Sequence, residues 1–295
     1  MQYQVSHATV YSYTDTVPLC HNEVYLTPRR HEYQQCVSHR LKIEPKPSMQ
    51  AQRRDYFGNE STYFMIDRSH LTLHVNATGQ VEITPAERTA FGSPAWECVR
   101  TATLSQSSVL DQDAPFQFLF DSPAIQRTQR FKEYADLSFR RNRPVIDAVL
   151  DLTHRIHNDF EYDPAATTID TPLEAVLRAR RGVCQDFSHL LIACLRSMGL
   201  AARYVSGYLV TQTKPHSKQL IGADASHAWV SVHCGELGWI DFDPTNDVMP
   251  HLDHVTLAWG RDYTDVSPIR GVCIGGGKQS VSVAVKVVPC CHNAL

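Results

Sequence analysis

The chain has 295 residues, of which 43% are apolar and 20% charged, and a net charge of −3. That balance supports a sizeable core in one large or two ordinary domains and excludes a disordered, collagen-like or low-complexity chain. No basic surplus points to nucleic acid, no Lys/Arg block to an anionic membrane, and no run of about 18 apolar residues to a membrane span. Residues 1–7 carry no charged segment leading into an apolar run, so no signal peptide is expected. Nine cysteines, scattered singly apart from Cys290-Cys291 and without a CxxC pair, predict reduced thiols and a cytoplasmic setting.

The first hundred residues read as all-β. Tyr3, Val5, His7, Thr9, Tyr11 and Tyr13 recur at period two, as do Val37, Leu41 and Ile43, then Leu71, Leu73 and Val75, then Val81 and Ile83. Turns are expected at Phe57-Gly58-Asn59 and at Asn76-Ala77-Thr78-Gly79. Short alternating strands with such turns predict an antiparallel sandwich over 1–100 with an accessory role. Pro94, Pro115, Pro123 and the loop-like Ser105-Gln106-Ser107-Ser108 mark 101–143 as a connecting segment, with a helix over 128–139.

From Pro144 the period becomes helical: Val145, Val149, Leu152 and Ile156 form a stripe. Thr171-Pro172-Leu173-Glu174 predicts a second helix capped by Thr171, with Arg178, Arg180 and Arg181 in its last turn and Gly182 as its stop. Phe187, Leu190, Leu191, Cys194, Leu195 and Met198 then predict a buried helix ended by Gly199. Strands follow over 204–210, 228–233 and 239–242, then a Gly275-Gly276-Gly277 turn and a strand carrying Val281, Val283, Val285 and Val287. Helices first and strands afterwards predict an α+β core over 144–295 that keeps its C-terminal strands.

Cys184 lies between the Gly182 break and the apolar helix, so its thiol is expected at a helix N-terminus. Unsatisfied N–H groups and the helix dipole there favour a thiolate and can stabilise an oxyanion. Asp186 opposes that effect by its charge. A small buried hydrophobe is the alternative reading of Cys184. A thiol nucleophile needs a base and a group that orients the base. His227 opens an apolar strand, and a short hairpin turn would bring it beside Asp243, at the end of the next strand before Pro244. Asp243 also reads as an Asx turn with Thr245. Cys184, His189 and Cys194 lack metal-site spacing, and His251-Leu252-Asp253-His254 reads as a solvated loop cluster. There is no HExxH, phosphate loop or dinucleotide fingerprint, so no cofactor and no metal is expected.

Arg181-Gly182-Val183-Cys184-Gln185-Asp186-Phe187-Ser188, Ser226-His227-Ala228-Trp229-Val230 and Trp239-Ile240-Asp241-Phe242-Asp243-Pro244-Thr245-Asn246 resemble, in order and context, the transglutaminase-like superfamily of cysteine enzymes. Residues 7–13, 21–29 and 55–59 resemble the region that precedes the core in bacterial members. The resemblance implies a papain-like α+β core, with Cys184 as nucleophile, His227 as base and acid, and Asp243 as orienting acid. It leaves Asp241 outside the triad. The Cys184 backbone N–H, Tyr162 and Gln185 stand as oxyanion candidates. No calcium-binding acidic loop is present. The implied activity is thiol-dependent acyl transfer on a peptide or protein amide through a thioester, with hydrolysis (a cysteine peptidase or amidase) favoured. Protein-glutamine transamidation, cleavage of amide-linked glycans and a non-enzymatic peptide-binding module are the alternatives.

Overall fold

The computed structural model describes residues 1–85, 92–105, 114–211, 220–223 and 225–290. Six strands come first: β1 (Gln2–Val17), β2 (Leu19–Val24), β3 (Gln34–Glu44), β4 (Met49–Arg54), β5 (Glu60–Ile66) and β6 (His70–Ile83). Helices follow, α1 (Trp96–Ser105), α2 (Gln129–Asp136) and α3 (Val145–Asp159), then β7 (Glu161–Tyr162), α4 (Leu173–Ala179), β8 (Arg181–Gly182) and α5 (Cys184–Ser197). The chain continues as β9 (Ala202–Leu209), β10 (His227–His233), β11 (Trp239–Phe242), β12 (His254–Gly260), α6 (Tyr263–Val266), β13 (Ile269–Ile274) and β14 (Gln279–Pro289). The fold is α+β.

The first strands form two four-stranded antiparallel sheets, in the orders β14-β1-β6-β3 and β13-β2-β5-β4. Val17, Cys20, Phe64, Ile66, Leu73 and Val75 are buried together between them. The alternation predicted along β1, β3 and β6 is present, except that Leu71 on β6 is 51% exposed, and with two further departures. Val37 is 53% exposed, because the ladder shifts between Cys36 and Ser38 and turns Cys36 inward instead. Asn76-Ala77-Thr78-Gly79 is not a turn but the middle of β6. A Cβ on Gly79 would lie 2.4 Å from the Ser38 carbonyl oxygen, so glycine here serves close strand approach at the bulge.

The last two strands also depart from the expected division. β13 pairs with β2 from Ile269↔Val24 to Ile274↔Leu19, and β14 pairs with β1 from Tyr3↔Pro289 to Tyr13↔Gln279. They lie in the sheets of the first hundred residues, not on the core sheet. Period-two patterning specifies a strand's faces but not its partner.

The core sheet runs β11-β10-β9-β12 with antiparallel neighbours, and α5 packs on one of its faces. Residues 187–196 of α5 are buried throughout, as its broad apolar pattern predicts. Trp96 and Val99 of α1 and Phe131, Tyr134 and Ala135 of α2 join the same cluster, so the expected connecting segment contributes core helices. Short helices separated by prolines give too few turns for a clear period. Gln106, Ser107, Ser108, Asp224 and Cys291 lie outside the described residues.

Two local expectations change. Thr171 does not cap α4; its hydroxyl accepts from the Thr168 N–H at 2.8 Å, and Pro172 is the N-cap. Arg180, not Gly182, ends that helix, in a left-handed conformation with φ 56°. Gly182 has a different use. A Cβ there would meet the Asp186 carboxylate at 2.7 Å, so the missing side chain lets Asp186 fold back under the start of α5.

Candidate active site

Cys184 is the first residue of α5 and half-buried. The first N–H groups of a helix have no partner within it, so the thiol sits among free donors. Asp186 closes the turn by accepting from the Val183 N–H at 2.9 Å and the Thr167 hydroxyl at 2.7 Å. Burial raises the Asp186 carboxyl, against the effect of those two donors.

Tyr162 and Gln185 are both near the cysteine. β7 pairs in parallel with β8, placing Tyr162 opposite Gly182, two residues before Cys184. The Tyr162 ring packs edge-on to Phe187, 6.4 Å between centroids. Gln185 follows Cys184 in the first turn and is half-buried.

His227 and Asp243 come together as the hairpin predicts. β10 and β11 pair from His233↔Trp239 to Val230↔Phe242, which carries Asp243 to the end where His227 stands. The His227 Nε2 lies 2.9 Å from Asp243 Oδ2, and both residues are buried, at 2% and 0% exposure. The Asx turn is present as well, for Asp243 Oδ1 accepts from the Thr245 N–H at 2.9 Å. Asn246 donates to Oδ2 at 2.8 Å.

Sequence reasoning missed His254. Its sequence reads as part of a solvated loop cluster, yet it opens β12, is 6% exposed, and places Nε2 3.2 Å from the same Asp243 oxygen. β10 and β12 flank β9 on opposite sides, with His227 opposite Gly207 and His254 opposite Leu209. Only that sheet order brings the two histidines together. Trp229 lies between them, stacked on His227 at 6.2 Å and edge-on to His254 at 5.1 Å. A Cβ on Gly207 would come within 2.4 Å of the Trp229 ring, so glycine there gives the indole its path. Asp241, outside the expected triad, accepts from the Trp229 indole N–H at 3.0 Å.

The hydrogen bonds fix the tautomer. A carboxylate only accepts, so each Nε2 that faces Asp243 carries a proton. In neutral His227 the lone pair is then on Nδ1, the nitrogen left for the Cys184 thiol. Burial works against charge on the His227 ring, but the Asp243 carboxylate and then Cys184 outweigh it and push the imidazole up to about 10. Burial alone would raise the Asp243 carboxyl; the His227 and His254 rings instead hold it well below the usual carboxylate range. His227, Asp243 and His254 are also the residue types that bind metals. Here their facing atoms bond one another, and Asn246, Thr245 and the two rings already take up the carboxylate, so the set fits a hydrogen-bonded relay better than a cation cage.

Gly222 covers this site. It has φ +89°, and a Cβ on it would lie 2.9 Å from His227 Nδ1. Asn246 ties the segment down, accepting from the Ile221 N–H at 2.7 Å. Gly222→Ala is expected to push the imidazole aside and strain the backbone. A misplacement on the 1 Å scale costs roughly 100-fold in turnover, to be read as kcat with Cys184 unaltered.

A thiol at a helix start, an imidazole and a buried carboxylate on neighbouring strands form the arrangement of a papain-like cysteine enzyme. The chain belongs to the transglutaminase-like superfamily. Residues 3–82 match the bacterial transglutaminase-like N-terminal region, and 132–244 match the transglutaminase-like core. An uncharacterized protein of Mycobacterium tuberculosis strain H37Rv is 41% identical over 303 residues, covering 100% of this chain and 95% of that one. An uncharacterized protein of Mycobacterium leprae is 32% identical, covering 96% and 97%. The crystal structure of a candidate cysteine protease from Cytophaga hutchinsonii shares the fold, with a TM-score of 0.76, 23% identity, and 98% and 90% of the two chains covered. Among the described residues no helix is long and apolar enough to cross a membrane.

Proposed function

We propose that this protein is a thiol-dependent acyl-transfer enzyme acting on peptide or protein amides, with water as the favoured acceptor. The observation that carries the reading is the buried Asp243–His227 pair, with Cys184 at a helix N-terminus as the other group that acts on the His227 ring. The Cys184 proton is carried by His227 Nδ1, and sulfur bonds the amide carbonyl carbon while the carbonyl electrons move to oxygen. The Cys184 N–H, with Tyr162 or Gln185, faces that oxyanion. When it collapses the C–N bond breaks, and His227 returns its proton to the departing amine. Water then attacks the thioester, His227 takes its proton, and the thiol leaves with it.

The proposal assigns 2–83 with 269–289 to an accessory sandwich and 96–266 to the catalytic unit. Scattered single cysteines support a cytoplasmic setting. A peptide pool incubated with and without a primary amine, read by mass spectrometry, tests the reaction. New free carboxyl ends in both samples are expected. Amine adducts alone would make the enzyme a transamidase, and neither product would sink the proposal.

His254 is assigned a positioning role through Asp243. A hydrogen bond to a charged group is worth about 1.5–3 kcal/mol, so His254→Ala is expected to lower kcat about 10- to 150-fold with KM nearly constant. The pH profile of kcat should shift as Asp243 loses a donor. An unchanged profile would leave His254 a packing residue.

A further inference from the structure

On the core sheet's other face, away from α5, lies a cleft of about 510 Å³. Ala202, Tyr204, Val230, Val232 and Phe242 pack on the helix side. Alternation along the strands therefore sends Arg203, Ser231 and Asp241 to the cleft, where all three line the wall. The register makes them one row: Ser231 is directly opposite Asp241 on β11 and Arg203 on β9. The lining reaches His254 and Trp229 behind Asp243 and does not include Cys184.

Each member of the row is prepared for a ligand. Arg203 is 6% exposed, and its guanidinium lies 4.2 Å from the Trp239 ring centre and 3.7 Å from that of Trp259. Held between two indoles, the planar fork is preorganised for a carboxylate. Ser231 is 1% exposed, and its hydroxyl has no hydrogen-bond partner among the described residues. Such a group asks for a partner from the cleft itself. Asp241 uses Oδ2 for the Trp229 indole and retains further acceptor capacity.

A cation, a neutral hydroxyl and an anion thus stand in order on three adjacent strands spaced about 4.8 Å apart. A simple anion would meet Asp241, and a simple cation would meet Arg203. The volume is in the ordinary range for small-molecule sites, about 300–1,000 Å³. We propose that this cleft binds a small zwitterion of dipeptide size, its carboxylate on Arg203, its middle on Ser231 and its ammonium on Asp241. Two extended residues set their ends about 7 Å apart, which suits groups two strands apart better than a single amino acid does. The cleft does not include Cys184, although His254 lines its end, and the proposal stands whether or not Cys184 is catalytic.

The full chain would be titrated with glycyl-leucine, N-acetyl-glycyl-leucine and glycyl-leucinamide, followed by calorimetry and tryptophan fluorescence. Saturable binding of glycyl-leucine is expected, about tenfold weaker for each blocked form. Ser231→Ala should weaken it about fivefold or more, and Asp241→Asn should abolish the penalty for N-acetylation; both substitutions nearly conserve volume. Cys184→Ala should bind as the parent does. Three outcomes would each overturn the site: no saturation, equal binding of all three probes, or loss of binding on replacing Cys184.

Discussion

Cys184→Ala is expected to abolish turnover, with kcat falling on the order of 10^4- to 10^6-fold, as when a nucleophile that acts as a unit with its base is removed. The protein should remain folded. Cys184 is half-buried and only at the margin of the core, and the fully buried apolar side chains of α5 run from Phe187 onward. Unchanged thermal unfolding with activity gone would attribute the loss to chemistry. Iodoacetamide labelling gives a second readout without a substrate. Labelling at Cys184 should be fast in the parent and slow in His227→Ala. Retained turnover by pure Cys184→Ala protein would end the proposed mechanism.

Asp243→Asn should lower kcat on the order of 10^3- to 10^4-fold, because the amide can present an N–H to His227 and reverse the tautomer. It should also cost stability, with a defined pH dependence. His227 has a folded pKa raised from 6.5 to about 10. Its contribution is therefore fully present below pH 6.5 and is lost as pH rises through about 10. Asp243 is shifted the other way, below its ordinary 3.8. Its contribution is present above that value and lost as pH falls through the folded pKa. The parent's stability advantage over Asp243→Asn should thus be widest between about pH 4 and 6.5 and should narrow toward pH 10. Denaturant melts across that range would measure it. An advantage that grew toward high pH would contradict the charge assignment.

Much of this site is legible in the chain because its parts are local. The helix behind Cys184 announces itself by spacing, and the approach of His227 to Asp243 follows from a short hairpin. His254 carries no comparable signal. It reaches Asp243 only because β12 takes the far side of β9, and no pattern within 251–254 encodes that order. The same holds for β14, whose alternation marks it as a strand without naming β1 as its partner, while β13 over 269–274 carries no predicted strand at all. Gly79 and Gly182 misled for another reason. Glycine marks turns and helix ends, but it also marks places where two chain segments nearly touch, and the two uses look alike in sequence. The Thr171 cap failed because Pro172 took the N-cap position and left the Thr171 hydroxyl to Thr168.

The pairing of Tyr3 with Pro289 and of Val24 with Ile269 has a consequence for biosynthesis. One edge of each of the first two sheets is completed by a strand made after all the others. At roughly 5–20 residues per second, β1 waits about 15–60 s for β14. Throughout that interval the nascent chain displays two open β-edges while the core is already able to assemble. Chaperone dependence and aggregation during expression should therefore track the integrity of residues 269–289 more closely than that of the catalytic residues. A chain cut after β12 would keep every group of the triad and still leave those edges open to other chains.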